Sequence, residues 1–133
     1  MKILLINPPN NMDRIIGNKE YITKSPSYGL LFLASFLKSK NIEVQLFDAF
    51  LDDKNEDDII NKIAEIKPEL IGFSVLVCNG YDIYLLTKKI KSIFPAVKII
   101  LGNIHASIYS DFYLNSGCAD FICHSEGEYV LYE

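Results

Sequence analysis

The sequence contains no hydrophobic run that is long enough to cross a membrane. Its longest apolar stretch covers residues 29–37, whereas a transmembrane helix needs about 20 consecutive apolar residues. The apolar run at residues 3–6 is also too short for the hydrophobic segment of a signal peptide. We therefore expect a cytoplasmic protein that has no membrane partner.

Cysteine is scarce and forms no recognisable pattern. The three cysteines, Cys78, Cys118 and Cys123, are an odd number and contain no CxxC pair. This argues against a disulfide framework and against a zinc knuckle. We expect reduced thiols in the core or in loops, and no metal site built by the chain itself.

Positive charge is in the minority, because 13 Lys and Arg face 17 Asp and Glu, for a net charge of -4. Proteins that bind the phosphate backbone of nucleic acids normally carry a basic face, so nucleic acid is a poor candidate partner. The GxGxxG motif of dinucleotide-binding folds and the GxxxxGK[ST] P-loop are also missing. These absences argue against NAD and ATP as ligands.

Short apolar runs alternate with longer amphipathic runs along the 133 residues, a length that fits one domain. The alternation predicts five strands separated by helices. The predicted strands are residues 2–6, 43–47, 70–77, 97–101 and 121–123. The predicted helices are residues 28–40, 56–66, 81–94 and 106–115.

Strands that are apolar on both faces, each followed by a helix, require a parallel sheet that is covered on two sides. We therefore predict an α/β fold with three layers, a doubly wound, flavodoxin-like sheet of five parallel strands in the order 2-1-3-4-5. Residues 127–133 predict the opening turns of a helix with no stop signal. We expect residues 1–133 to be one domain, excised from the N-terminal part of a longer protein.

Ligands of doubly wound folds bind at the carboxyl ends of the strands, near the switch point between strands one and three. The loop after strand one begins with Asn7, Pro8 and Pro9 and runs to Ser27, which is a predicted helix N-cap. A loop of this length is a functional lid or is disordered. It has neither the Ser/Thr-rich phosphate loop of flavodoxins nor the acidic pair of receiver domains.

The segment 102–107, after strand four, is the most informative local feature. Gly102 permits close approach of the backbone to a ligand, and His105 stands where a helix begins, with free amides nearby. His105 could equally cap that helix or bond a neighbouring carbonyl group. The sequence leaves both alternatives open.

For the other candidate binding residues, the sequence likewise allows a purely structural role. The Ser-Glu-Gly-Glu segment at 125–128 is either a ligand loop or a turn before an acidic helix start. Cys78, after strand three, either lines a pocket or is a buried thiol. Tyr28 and Tyr81 at helix starts line a pocket or pack, and Asp48 after strand two is a turn or cap residue.

Five motifs occur in chain order and together resemble the B12-binding domain that precedes the catalytic barrel in cobalamin-dependent radical SAM proteins. They are Ile-Asn-Pro-Pro at 6–9, Pro-Ser-Tyr-Gly-Leu at 26–30, Pro-Glu-Leu-Ile-Gly-Phe-Ser at 68–74, Gly-Asn-Ile-His-Ala-Ser at 102–107 and Glu-Gly-Glu at 126–128. The resemblance covers nearly the whole chain. Where the family usually has a further glycine in each of the last two motifs, this sequence has Asn103 and Ser125.

The resemblance implies a corrinoid, cobalamin, that lies across the carboxyl ends of the strands with its nucleotide tail in the sheet crevice. Backbone amides of the glycine-bearing loops would bind it. The cofactor-binding residues that it implies are Asn7, Pro8, Pro9, Ser74, Cys78, Gly102, Asn103, His105, Ser107, Glu126, Gly127 and Glu128.

The resemblance also implies that the domain does not catalyse but positions cobalamin for a downstream radical SAM domain of an enzyme. That domain would carry S-adenosylmethionine and a [4Fe-4S] cluster, because the cysteines of this chain lack the CxxxCxxC spacing. Methyl transfer or related radical chemistry would follow. The corrinoid and the downstream domain are the expected partners.

The methionine synthase and mutase branch of B12 domains carries Asp-x-His-x-x-Gly after strand one, and its histidine binds cobalt. The corresponding loop of this sequence contains no histidine. We therefore predict that His105 does not bind cobalt in that manner, and that the lower cobalt face is open, bound by water or covered by a loop side chain.

Two other interpretations stay open. A flavodoxin-like or receiver domain would need a phosphate loop or an acidic cluster, and neither is found at the predicted strand ends. A degenerate B12-like domain would act as a structural or partner-binding module without a cofactor, which the two replaced glycines favour. An open pocket with hydrogen-bond donors around it would favour cofactor binding.

Overall fold

The computed structural model describes residues 1–9 and 23–133, so most of the predicted long loop after strand one lies outside the described residues. The described residues form five strands and six helices. The strands are β1 (Lys2–Asn7), β2 (Glu43–Asp48), β3 (Leu70–Ser74), β4 (Lys98–Gly102) and β5 (Phe121–Ile122). The helices are α1 (Tyr28–Ser39), α2 (Glu56–Ile66), α3 (Gly80–Ile93), α4 (Ile104–Ile108), α5 (Ser110–Asn115) and α6 (Gly127–Tyr132). Within the described ranges, no helix combines the length and apolarity that a membrane crossing requires.

The five strands are all parallel and lie in the order β2-β1-β3-β4-β5. This confirms the predicted doubly wound, flavodoxin-like architecture. Leu5 of β1 pairs with Gly72 of β3, and Gly72 pairs with Ile100 of β4. These three residues therefore form one row across the middle of the sheet.

The sheet is covered on both faces, because alternate residues of each central strand enter different cores. On the face that we call the rear face, Ile71 and Ile99 share a core with residues of α2, α3 and α5. On the front face, Leu5 and Ile100 share a core with residues of α1 and α6. The uninterrupted aliphatic runs of the central strands follow from this burial on two sides.

Two predicted elements differ from the observed ones. β3 ends at Ser74 rather than at residue 77, because the Leu76 N–H donates to Asn79 Oδ1 at 2.7 Å and folds the chain into a turn. The predicted helix 106–115 is divided into α4 and α5 at Tyr109, whose φ of -106° and ψ of 30° depart from helical values. The periodicity of apolar residues shows neither the hydrogen bond from the Asn79 side chain nor the change of backbone direction at Tyr109, so it could not predict these two boundaries.

Asp48 joins three segments at the carboxyl end of β2. Its Oδ1 accepts hydrogen bonds from Asn7 Nδ2 at 2.8 Å and from the Leu51 N–H at 3.0 Å, and its Oδ2 accepts one from the Ser27 N–H at 3.2 Å. Asp48 is thus the turn residue that the sequence predicts, and it also ties the end of β1 to the start of α1. Ser27 is the N-cap residue of α1, although its side chain forms no capping bond.

Asp120 fastens the start of β5 to its neighbours. Its carboxylate accepts the Ile99 N–H at 2.8 Å, Lys98 Nζ at 3.2 Å and Lys91 Nζ. Burial raises the pKa of this carboxyl group, but the hydrogen bonds from Lys91, Ile99 and Lys98 outweigh burial and hold the pKa below its ordinary value of 3.8. The ionised form is therefore favoured in the folded protein.

We expect Asp120→Asn to lower the free energy of unfolding by about 1.5–3 kcal/mol at pH 7, because it removes hydrogen bonds made by a charged group. The folded pKa lies below the unfolded one, so this contribution is complete above the unfolded value and is lost as pH falls through the folded one. Urea unfolding of both proteins from pH 7 to pH 2.5 measures it. The exposed Lys2 and Glu43 pair provides the control, since Glu43→Gln should cost less than about 1 kcal/mol. A difference that does not shrink below pH 4 would contradict the assignment.

Candidate functional site

A cleft of about 250 Å³ opens on the front face at the carboxyl ends of β1, β3 and β4. Its floor is the row formed by Leu5, Gly72 and Ile100. Its side walls come from two helices of the front face, α1 and α6. The wall residues are Leu30, Leu33 and Leu131, and the rim residues are Ser74, Gly102, Asn103, Ser125, Glu126, Gly127 and Glu128.

Gly72 forms the low point of the floor. A Cβ atom at Gly72 would lie 2.8 Å from Leu5 Cδ2 and 3.6 Å from Ile100 Cγ2. The φ of Gly72 is not in the left-handed region, so the backbone does not require glycine here. Space explains it instead, because a glycine inside a strand marks a close approach to the backbone. The cleft therefore reaches the strand between two aliphatic side chains.

The rim joins the ends of three strands and the start of α6. Ser74 is the register partner of Gly102, and Ser74 Oγ accepts a hydrogen bond from Asn103 Nδ2 at 3.0 Å. Cys123 Sγ donates to the Ser125 carbonyl oxygen at 3.1 Å. A Cβ at Gly127 would lie 3.4 Å from a methyl group of Leu33, which is ordinary van der Waals contact, so α6 lies directly beside α1 here.

Asn103 has a strained backbone. Its φ of 78° and ψ of 170° lie in a region that only glycine enters without strain. Its side chain offsets part of that strain, because Oδ1 accepts the Ile104 N–H at 2.7 Å while Nδ2 donates to Ser74. The position where the family resemblance leads us to expect glycine thus keeps the conformation of a glycine.

The charge around the cleft is negative. Among the described residues that line it, Glu126 and Glu128 are ionisable acids and none is Lys, Arg or His. Glu126 is exposed and Glu128 is half-buried at the rim. A ligand held by these described residues therefore meets hydrogen-bond acceptors at the rim and aliphatic carbon below it.

The structure brings half of the predicted site residues together and leaves the others outside the cleft. The six that line it are Ser74, Gly102, Asn103, Glu126, Gly127 and Glu128. Those outside its lining are Asn7, Pro8, Pro9, Cys78, His105 and Ser107. Cys78 is half-buried rather than buried, and Tyr28 and Tyr81 are exposed. Ser107 Oγ donates to the carbonyl oxygens of Asn103 and Cys123, at 3.3 and 3.4 Å, so it fastens α4 to β5.

The floor and walls of the cleft are not among the residues that the sequence predicts for the site. Gly72 was visible as a glycine within an apolar run, which is a recognised sign of close backbone approach. The apolar floor and wall residues look like any other core residues in the sequence. Only the strand register and the placement of α1 and α6 show that they surround an opening.

His105 lies in a second cluster, on the rear face. An open groove of about 550 Å³ is lined there by Val77, Gly80, Tyr81, Tyr84, His105, Tyr109, Phe112 and Tyr113. The His105 Nδ1 atom is 3.1 Å from the Tyr113 hydroxyl oxygen, and the His105 ring contacts that of Tyr109 with centroids 4.7 Å apart. A Cβ at Gly80 would lie 2.7 Å from His105 Cε1, so glycine at the start of α3 makes room for the imidazole.

Tyr113 stays protonated at neutral pH. Burial, with a smaller contribution from the charge of Cys118, raises its pKa to about 12. Its hydroxyl group therefore carries a proton, which it can donate to His105 Nδ1 or to the Gly80 carbonyl oxygen at 3.4 Å. Within the described residues, His105 thus contacts a tyrosine hydroxyl group, while Asn103 is the N-cap residue of α4, and a contact of His105 with a ligand stays a prediction.

Comparison with known proteins gives one family. The B12 binding domain family matches residues 18–133. An uncharacterised methyltransferase of Pyrococcus horikoshii is 29% identical over 136 residues, which cover 100% of this chain and 28% of the relative. The anaerobic magnesium-protoporphyrin IX monomethyl ester cyclase of Rubrivivax gelatinosus is 27% identical, over 98% of this chain and 23% of the relative. The chain therefore spans about a quarter of the length of these relatives.

Solved structures share the fold. The cobalamin-dependent S-adenosylmethionine radical enzyme OxsB, with aqua-cobalamin bound, superposes with a TM-score of 0.83 at 20% identity, over 98% of this chain and 18% of that one. A cobalamin-binding protein from Desulfitobacterium hafniense superposes with a TM-score of 0.69 at 17% identity, over 98% of this chain and 56% of that one. At these identities the similarity establishes the fold alone.

The strain at Asn103 predicts an unusual order of stability. We expect Asn103→Gly to be more stable than Asn103→Ala by about 1–3 kcal/mol, because both lose the side-chain bonds but only alanine keeps a Cβ in the strained region. Chemical denaturation of the two variants measures the difference. Asn61, exposed in the middle of α2, is the matched control, and there alanine should be more stable than glycine by about 1 kcal/mol. If alanine were more stable than glycine at position 103 as well, the backbone of Asn103 would be unstrained.

Proposed function

The chain belongs to the B12-binding domain family, and from that premise we propose that it binds cobalamin and positions it for a radical SAM domain of a longer protein. The observation that carries the proposal is the glycine-floored cleft at the carboxyl ends of β1, β3 and β4. In doubly wound folds this edge, beside the switch between β1 and β3, is where ligands bind. We also propose that residues 1–133 constitute the cobalamin-binding domain of that protein.

The residues of the cleft fit the nucleotide tail of a corrinoid. Gly72 keeps the floor of the cleft low, because a Cβ there would lie only 2.8 Å from Leu5 Cδ2 and would displace that side chain, although the backbone conformation itself does not require glycine. The aliphatic walls suit the flat, apolar base at the end of the tail. At the rim, the carboxylates of Glu126 and Glu128 can accept hydrogen bonds from ribose hydroxyl groups, and the backbone at Gly102 and Gly127 is open to close approach.

The corrin itself would lie outside the cleft, over the same edge of the sheet. The six predicted residues that do not line the cleft follow strands whose carboxyl ends form that edge. They remain proposed contacts for the corrin ring and its amide groups: Asn7, Pro8 and Pro9 at the end of β1, Cys78 after β3, and His105 and Ser107 after β4.

Bound cobalamin would supply a cobalt centre that carries a methyl group or an electron. The part of this chain is to bind it, orient it and exclude water from its lower side. S-adenosylmethionine and the [4Fe-4S] cluster would belong to the downstream domain. Two of the curated relatives are a methyltransferase and a cyclase, so we propose methyl transfer or related radical chemistry and assign no substrate.

A second candidate function is that of a degenerate domain that binds a protein partner without a cofactor. One observation favours it: a side chain stands at Asn103, on the rim, where its amide is bonded to Ser74 and Ile104. The Asn103 amide thus uses the Ser74 hydroxyl group and the Ile104 N–H, which could otherwise form hydrogen bonds with a ligand. Direct titration separates the two functions.

Titration of the chain with hydroxocobalamin, followed by visible absorbance and by gel filtration, should show saturable binding at one site. Gly72→Val should weaken this binding at least about tenfold, because its side chain would push Leu5 aside and raise the floor on which we place the tail. Gly72→Ala should have a smaller effect in the same direction.

Cobinamide, which lacks the nucleotide tail, is the control ligand for these variants. Its affinity should be the same for the wild type and for Gly72→Val, because the change lies under the tail. Circular dichroism and urea midpoints establish that the variants fold. Folded wild-type protein that binds no corrinoid would refute the proposal and favour the degenerate domain.

His105→Ala should leave the visible spectrum of the bound corrinoid unchanged, because the His105 ring is held by Tyr113 and Tyr109 on the rear face. Loss of this packing should lower the free energy of unfolding by about 0.5–3 kcal/mol. His124→Ala is the matched control, since His124 is exposed and should change neither quantity. A shift of the cobalt spectrum in His105→Ala alone would identify His105 as a ligand.

A further inference from the structure

The deep part of the cleft is built from hydrocarbon. Leu5 and Ile100 flank Gly72 on the floor, and the side walls are leucines of α1 and α6. The polar side chains that line the cleft stand at its rim, after the ends of β3, β4 and β5. A ligand group that reaches the floor therefore contacts aliphatic side chains and not the polar side chains of the rim.

The floor offers no free hydrogen-bonding group. Gly72 lies on the central strand and pairs with Leu5 on one side and with Ile100 on the other, so the strand amides face neighbouring strands. The Cys123 thiol is bonded to the Ser125 carbonyl oxygen. Among the described residues, every buried side-chain nitrogen or oxygen already has a hydrogen-bond partner, so none is left for a ligand atom.

A polar atom that is buried without a partner destabilises the complex, whereas an apolar atom at the same place gains from leaving water. Corrinoids differ in the base at the end of the nucleotide tail. A purine base carries ring nitrogens and, in adenine, an amino group on its outer edge. An alkyl-substituted benzimidazole carries only carbon and hydrogen on that edge.

We propose that the cleft selects corrinoids by their lower base, and that it prefers an alkyl-substituted benzimidazole to a purine. The preference rests on the proposed function, because it assumes that the tail enters this cleft. It is a property of Leu5, Gly72, Ile100 and the leucines around them, and it does not depend on the reaction of the longer protein.

The test compares three ligands that share the corrin ring: cobalamin, the cobamide with adenine as its base, and cobinamide without a base. Dissociation constants from visible titration of the whole chain are the readout. We expect cobalamin to bind about tenfold or more tightly than the adenine compound, and cobinamide to bind more weakly than cobalamin.

Two leucines on α1 provide a matched pair of variants. Leu33 lines the cleft, whereas Leu31 is 39% exposed on the same helix and does not line it. Leu33→Asn places an amide beside the base, so it should reduce the ratio between the cobalamin and adenine affinities at least about threefold. Leu31→Asn should leave that ratio unchanged.

The outcomes separate this proposal from the proposed function. Equal affinities for the two base-containing ligands, both tighter than cobinamide, would overturn the base preference and leave cobalamin binding intact. Equal affinities for cobalamin and cobinamide would overturn it by showing that the tail contributes nothing. Failure of all three ligands to bind the folded chain would overturn the proposed function, and the base preference with it.

Discussion

The structure depends on one constraint, that the central strands of a parallel sheet must be covered on both faces. β1, β3 and β4 carry aliphatic side chains on both sides, and two separate cores bury them. On the rear face, helices and aromatic side chains cover the sheet to its carboxyl edge. On the front face, a cleft opens between α1 and α6, with Gly72 on its floor.

The strands of the sheet are predictable because each one is a short apolar run with residues at its end that stop a strand. Continuous aliphatic runs end at residues such as Asn7 and Gly102, and the helices between the strands require parallel pairing. The order 2-1-3-4-5 was predicted because only five strands are available. The end of β3 could not be predicted, because an Asn79 side-chain bond decides it. Apolar residues beyond Ser74 look like more strand, although Val77 is 82% exposed.

The site was predictable only in part, for a physical reason. Rim residues such as Asn103 and Glu126 follow strand ends, so the order of elements places them at one edge. The floor arises from register between strands that are distant in the chain, and no local pattern contains the pairing of Leu5, Gly72 and Ile100. Similarly, no local pattern shows that His105 shares a groove with Tyr109 and Tyr113 on the rear face.

The two cores also differ in when they can be completed. α2 and α3 are followed directly by the strands that they cover, so much of the rear face can form early, as the chain emerges in sequence order. The cleft needs Leu131 and the rim at 126–128, which come after every strand. A nascent chain in which all five strands have paired therefore still lacks the wall of the cleft that α6 provides. The cleft is therefore complete only when the last helix, α6, has packed beside α1.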